Sequence, residues 1–330
     1  MRIERNLGMD LVRSTEMAAL RAGRMMGRGD KIAADQLAVD AMRYALANMQ
    51  IDGTVVIGEG EKDDAPMLYT GEKIGTGEGP AVDIAVDPVE GTTLLAEGMP
   101  GAIAVVAIAD RGSLHGWSGL AYMDKLAVGE AAKGAVDIDA PVAENIRNVA
   151  RVLNKGVDDV TVVVLDRPRH KELIRQIRET GARIKLILHG DVGAAIMTAI
   201  DDPPADMLMG IGGAPEAVIT ACALKCLGGE IQCRVWPRND EERALAEATS
   251  IDLAKIYRID DLASGENIFV AATGITDGEF LHGVRYFSGG ATTHSVVLRS
   301  ASGTTRYVES RHRWDKLMRI SALDYVHSDE

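Results

Sequence analysis

The stretch TVVVLDRPRHKELIRQIRETGARIKLIL, residues 161–188, passes from one periodicity to another and back. Thr161 to Leu165 is an unbroken β-branched and aliphatic run, the pattern of a buried strand. From Lys171 to Thr180 the apolar residues Leu173, Ile174 and Ile177 share one helical face, and Gly181 stands where a left-handed residue closes a helix. Ile184 to Leu188 returns to a strand. Beyond it, Val192 to Ile200 predicts a helix, Met207 to Met209 a short strand, and Pro215 opens a further helix at its first position, where a missing N–H costs nothing. This repetition of strand, loop and helix predicts an α/β layered core. Toward the N-terminus, helical spacing runs from Leu11 to Met26 and again from about Asp35 to Leu46. Short strands follow at Thr54–Ile57, Val82–Val86 and Ile103–Ile108. The last third is less regular. It predicts a polar helix over Glu241–Ala254 and strands at Ile268–Ala272, His294–Arg299 and Thr304–Glu309, the last two a hairpin around Ser302-Gly303. Residues 1–330 are read as one unit with two lobes, approximately 1–155 and 156–330.

Lys and Arg number 36 and Asp and Glu 49, a net charge of −13. With no basic tract, the chain is a poor match for nucleic acid or an anionic membrane. Acidic residues are, however, what a hard divalent cation needs. Apolar residues make up 46% and charged residues 26%, which excludes a disordered chain. Cys222, Cys226 and Cys233 form no C-x-x-C pair, which argues against zinc and against a disulfide framework. No charged-then-apolar leader and no apolar run of ~18 residues is present, so a cytoplasmic location is expected.

The chemistry-bearing residues lie where strands end. Val86 runs into Asp87-Pro88-Val89-Glu90-Gly91-Thr92-Thr93. A strand ending in Asp, followed by a proline turn, puts the Asp87 and Glu90 carboxylates at one sheet edge, and Gly91 lets backbone N–H groups approach a ligand. Two acids at this spacing suit a cation, and the neighbouring N–H groups suit a phosphate. A surface turn with capping acids is the bland alternative and the less favoured one. A second acidic stretch, Gly58-Glu59-Gly60-Glu61-Lys62-Asp63-Asp64, repels itself unless a cation neutralises it. A third, Gly210-Ile211-Gly212-Gly213-Ala214-Pro215-Glu216, predicts a glycine-rich strand-to-helix turn with an acid in the first helical turn.

These blocks resemble, in order and nearly end to end, the class II fructose-1,6-bisphosphatases, bacterial relatives of the lithium-sensitive, metal-dependent sugar phosphatases. The matching residues include Gly27-Arg28-Gly29-Asp30-Lys31 with Ala34-Asp35-Gln36, Val56 to Glu61, Ala65-Pro66-Met67-Leu68-Tyr69 and Val82 to Pro88. They continue at Tyr122-Met123, Ala132-Lys133-Gly134, Arg167-Pro168-Arg169-His170, Gly190-Asp191-Val192 and Gly212 to Glu216. The resemblance implies a layered α-β-α-β-α sugar phosphatase fold, Mg²⁺ or Mn²⁺ dependence and a homo-oligomer, dimer or tetramer. It places Asp35 and Glu59 at one metal position and Asp87, Glu90 and Glu216 at another. It places substrate contacts at Glu90-Gly91-Thr92, Tyr122, Arg167-Pro168-Arg169, His189-Gly190-Asp191 and Gly213. His189 stands where the family commonly has Asp. The metal ligands fall mostly in the first expected lobe, and the phosphate-binding residues with Glu216 in the second.

The residues also suggest roles. Thr92 is placed to orient an attacking water, with Glu59 or a neighbour accepting its proton. Arg167 and Arg169 flank Pro168 directly after a strand, so they can clamp a phosphate remote from the chemistry. The expected reaction is hydrolysis of the 1-phosphate of fructose 1,6-bisphosphate, in gluconeogenesis. The alternatives are a bisphosphatase that also takes sedoheptulose 1,7-bisphosphate, an inositol-type monophosphatase, which needs no distal clamp, and a catalytically silent phosphosugar sensor, which needs no water activation.

Overall fold

The protein is described by a computed structural model covering residues 6–60, 67–116, 121–321 and 323–325. The chain begins with α1 (Gly8–Ala22), which tightens into a 3-10 turn at Gly23–Met25, and continues into α2 (Lys31–Ala47). Asp30 caps α2, its carboxylate accepting from the Ala33 N–H. Strands β1 (Asp52–Ile57), β2 (Lys73–Ile74) and β3 (Ala81–Glu90) follow, then the short helix α3 (Thr92–Ala96) and β4 (Ile103–Asp110).

There the chain leaves its first sheet and builds a second. In order come β5 (Tyr122–Val128), α4 (Val142–Val152), β6 (Thr161–Leu165), α5 (Lys171–Glu179), β7 (Arg183–Ile187) and α6 (Asp191–Ile196). They are followed by β8 (Met207–Gly213), α7 (Ala214–Leu227), β9 (Glu230–Val235), α8 (Asp240–Ala248), β10 (Tyr257–Arg258) and α9 (Ile259–Leu262). The six strands lie in the order β10-β9-β5-β8-β6-β7. The β6–α5–β7 unit is parallel, Thr161 opposite Arg183 through Leu165 opposite Ile187, and β6 is also parallel to β8. Val162, Val163 and Val164 are all buried, as an unbroken apolar run in such a strand requires. Helix α7 is covered nearly all round, so it carries Ala, Val, Ile and Cys with no polar stripe. Burial pushes the Cys226 and Cys233 thiols up to about 12.

The chain then returns to the first sheet with β11 (Phe269–Gly274), β12 (Arg285–Phe287), β13 (Gly290–Arg299) and β14 (Thr304–Arg313), ending in α10 (Trp314–Ile320). The hairpin between β13 and β14 closes at Gly303, whose φ of 55° suits glycine. That sheet runs β12-β13-β11-β4-β3-β1-β2, with β14 on β13.

The α/β class with two sheets is as expected, but the lobe boundary near residue 155 is not. One unit joins residues 1–112 to 267–330, and the other is residues 113–266. The reason is β11, which pairs antiparallel with β4, Phe269 opposite Ile108 through Gly274 opposite Ile103. A pairing between strands so far apart in sequence leaves no trace in local periodicity. Two predicted helices are also shorter: α6 stops at Ile196 and α8 at Ala248. Among the described residues no helix is long and apolar enough to cross a membrane.

Candidate active site

In the first unit, the Asp87 motif is not the turn that Pro88 predicts. Strand β3 runs on to Glu90, and its register against β4 slips between Asp87 and Glu90. Proline has no N–H to offer a ladder, so it is tolerated where the ladder lapses. The slip folds the segment on itself: the Val89 N–H donates to Asp87 Oδ1 at 3.1 Å, and Thr92 Oγ1 donates to the Val89 carbonyl at 3.1 Å. Gly91, at φ 90°, turns the strand into α3. Glu90 is buried, and Asp87 and Thr92 are half-buried.

Asp35 lies in the first turns of α2 and Glu59 two residues beyond β1, and their carboxyl groups interact. Burial pushes the Asp35 carboxyl above the usual range, and the interaction with Glu59 opposes that. The Glu59 N–H donates to the Leu68 carbonyl at 3.0 Å. The rest of the second acidic stretch, Glu61, Lys62, Asp63 and Asp64, lies outside the described residues, as do Ala65 and Pro66.

In the second unit, Pro168–His170 form a 3-10 turn between β6 and α5. His170 ties this turn to β8: its Nδ1–H donates to the Leu165 carbonyl at 2.6 Å, and its Nε2 accepts from the Ile211 N–H at 2.7 Å. Arg169 Nη2 donates to the carbonyl of the same Ile211 at 2.7 Å. The two arginines therefore stand on a turn fixed to a neighbouring strand. Arg167 donates to His189 Nδ1 at 3.1 Å, so the histidine at the position where Asp is common receives the arginine. The Tyr122 ring lies 5.0 Å from the Arg169 guanidinium and 5.4 Å from that of Arg238, with Trp236 edge-on. Spacing alone did not single out Arg238, Trp236 or the locking role of His170.

The glycine-rich motif is mostly strand, Gly210 to Gly213 closing β8, and α7 starts at Ala214, one residue before Pro215. Its glycines make room for carboxylates. A Cβ on Gly212 would collide with Asp191 Oδ2, and one on Gly213 would collide with Glu216 Oε2. Glu216 Oε2 is shut from solvent with no hydrogen-bond partner among the described residues. Burial and the Asp191 charge push the Glu216 carboxyl up, against the pull of Lys125. Lys125 itself is 2% exposed and donates to Asp191 Oδ2 at 2.7 Å. Lys125, too, was missed.

Residues 5–312 match the family model described as bacterial fructose-1,6-bisphosphatase, glpX-encoded. The chain belongs to this family. It is 43% identical over 327 residues to fructose-1,6-bisphosphatase 1 class 2 of Escherichia coli strain K12, covering 95% of this chain and 97% of the relative. The same figures hold for the class 2 enzyme of Shigella flexneri. Members of this family are phosphatases of the hydrolase class, and class II bisphosphatases depend on a metal.

Against that background, the structure pairs Asp35 with Glu59, aligns Asp87, Glu90, Gly91 and Thr92 on one strand-to-helix junction, and sets Asp191 and Glu216 around Lys125. Arg167 meets His189, and Arg169 meets Tyr122. Among the described residues, no three His, Cys, Asp or Glu side chains are gathered as a metal cage. The donors nonetheless fit a hard cation. All five expected ligands are carboxylates, and Glu216 holds a buried oxygen without a hydrogen-bond partner among the described residues.

Proposed function

We propose that the chain hydrolyses the 1-phosphate of fructose 1,6-bisphosphate to fructose 6-phosphate and phosphate, in the gluconeogenic direction, with Mg²⁺ or Mn²⁺ held by Asp35, Glu59, Asp87, Glu90 and Glu216. One observation carries it: a chain of this family presents an intact acid-and-threonine junction together with two arginines locked on a separate turn. When bound, the metal would supply charge neutralisation on the phosphoryl group and acidify a water.

The protein's own groups do the rest. The Thr92 hydroxyl donates its hydrogen bond to the Val89 carbonyl. Its oxygen therefore faces a water as an acceptor, which fixes the direction in which that water's remaining lone pairs point. Glu59 takes the water's proton. Arg167 and Arg169 bind the phosphate that does not react, and Tyr122, packed on the Arg169 guanidinium, holds that arginine in place and lines the sugar. Glu90, Gly91, Pro168, His189, Gly190, Asp191 and Gly213 complete the substrate contacts. A cytoplasmic homo-oligomer, dimer or tetramer, belongs to the same reading.

The test is phosphate release from fructose 1,6-bisphosphate with added Mg²⁺ or Mn²⁺ and with excess EDTA. Turnover is expected only with metal, and the circular dichroism spectrum should survive chelation. Full turnover in EDTA would remove the metal from the reading.

A further inference from the structure

Strand β5 alternates Met123, Lys125 and Ala127 toward the interior, at 0%, 2% and 0% exposure. A methionine there would fill the same space without the cost of burying an ammonium group, so packing gives no reason for the lysine. Its hydrogen bond among the described residues goes to Asp191 Oδ2 at 2.7 Å. Asp191 follows Gly190, whose φ of 88° aims the start of α6. Beneath the pair, a Cβ on Gly212 would collide with Asp191 Oδ2 and lie 3.1 Å from Lys125 Nζ. The Glu216 charge repels Asp191 from one side, and Lys125 attracts both. A lone carboxylate in this spot would swing away from Glu216.

We infer that Lys125 is a positioning residue: it pins one oxygen of Asp191 so that the other accepts a sugar hydroxyl of the substrate, and Gly212 keeps the space the pair occupies. This rests on the bisphosphatase reading, which is what assigns Asp191 to the sugar. A purely structural lysine would affect every ligand alike, whereas a lysine acting through Asp191 affects only ligands that carry the sugar.

The experiment is calorimetric binding of fructose 6-phosphate and of inorganic phosphate to the full chain, in wild type, Lys125→Met, Lys125→Gln and Gly212→Ala, with thermal unfolding recorded alongside. Lys125→Met and Gly212→Ala should each weaken fructose 6-phosphate at least ~10-fold, about the size of one charge-assisted hydrogen bond. Phosphate should stay within about twofold. Lys125→Gln retains a donor toward Asp191 and should recover part of the sugar affinity, and it serves if Lys125→Met does not fold. Equal weakening of both ligands, or unchanged fructose 6-phosphate binding in the folded variants, overturns the proposal. A folded wild type that neither binds fructose 6-phosphate nor hydrolyses the bisphosphate overturns the underlying reading instead.

Discussion

Thr92 is a side chain whose donor is already committed, to the Val89 carbonyl. Thr92→Ala should therefore lower kcat about 10²-fold with KM little changed, and Thr92→Ser, which keeps the hydroxyl, should retain part of the rate. Steady-state kinetics on fructose 1,6-bisphosphate decide it; a loss confined to KM would make the hydroxyl a binding group. His170 makes a different forecast. It accepts the Ile211 N–H on Nε2, so it must be neutral there, and burial, the largest influence, holds its pKa below the ordinary 6.5. The unfolded chain takes up a proton near pH 6.5 where the folded chain does not. Stability from this site is thus complete above 6.5 and declines as pH falls below it. The urea midpoint should drop more between pH 8 and pH 5.5 in wild type than in His170→Asn; identical slopes would remove the claim. At this scale the acids and arginines were legible as candidates, because they cluster at strand ends in the order the family resemblance supplies, where each alone has a bland explanation. It was silent on Lys125, since one lysine in a strand reads as solvated. The signal available was its register with Met123 and Ala127.

The same lesson takes another form among strands and helices. The β6–α5–β7 unit was legible to within a residue or two, because each piece is long and its neighbours are local. At Pro88 the expected turn was wrong: proline marks a lapse in hydrogen bonding, and a strand can absorb that by slipping register. The glycines of β8 were read as a turn because glycine usually means conformational freedom. Here Gly212 and Gly213 have ordinary backbone, and their job is to leave room. The turn bearing Arg167 and Arg169 supplies a test of substrate class. Each charge-assisted contact is worth ~1.5–3 kcal/mol, or roughly tenfold to a hundredfold in kcat/KM. Arg169→Ala should lose that much on fructose 1,6-bisphosphate and much less on a sugar 1-monophosphate. Equal proportional losses would put the arginine at the reacting phosphate or in the scaffold, and would favour an inositol-type monophosphatase.

Across the whole chain, residues 113–266 form an insertion whose entry and exit are stitched together. Leu114 bridges Ala263, and the Ser264 and His115 N–H groups donate to the Ser113 and Leu262 carbonyls. Its core of Leu126, Val128, Ile146, Val149, Val162, Val164 and Ile177 is drawn from within it. Expressed alone, residues 113–266 should unfold cooperatively in a thermal melt followed by circular dichroism, whereas residues 1–112 should not, lacking β11 beside β4. A fragment 113–266 that stays unfolded while the full chain is folded would contradict this. The same insertion imposes a timetable during synthesis. β4 emerges from the ribosome about 160 residues ahead of β11, so at ~5–20 residues per second its inner edge waits roughly 8–30 s for a partner. Ile103 to Ala109 are entirely buried once paired, and until then they form an apolar strand with an open edge. The insertion can fold during that delay, and the first sheet can close only afterwards. Slower elongation or a crowded nascent pool should therefore show up as aggregation through β4, and faster translation of residues 113–266 should raise the soluble yield.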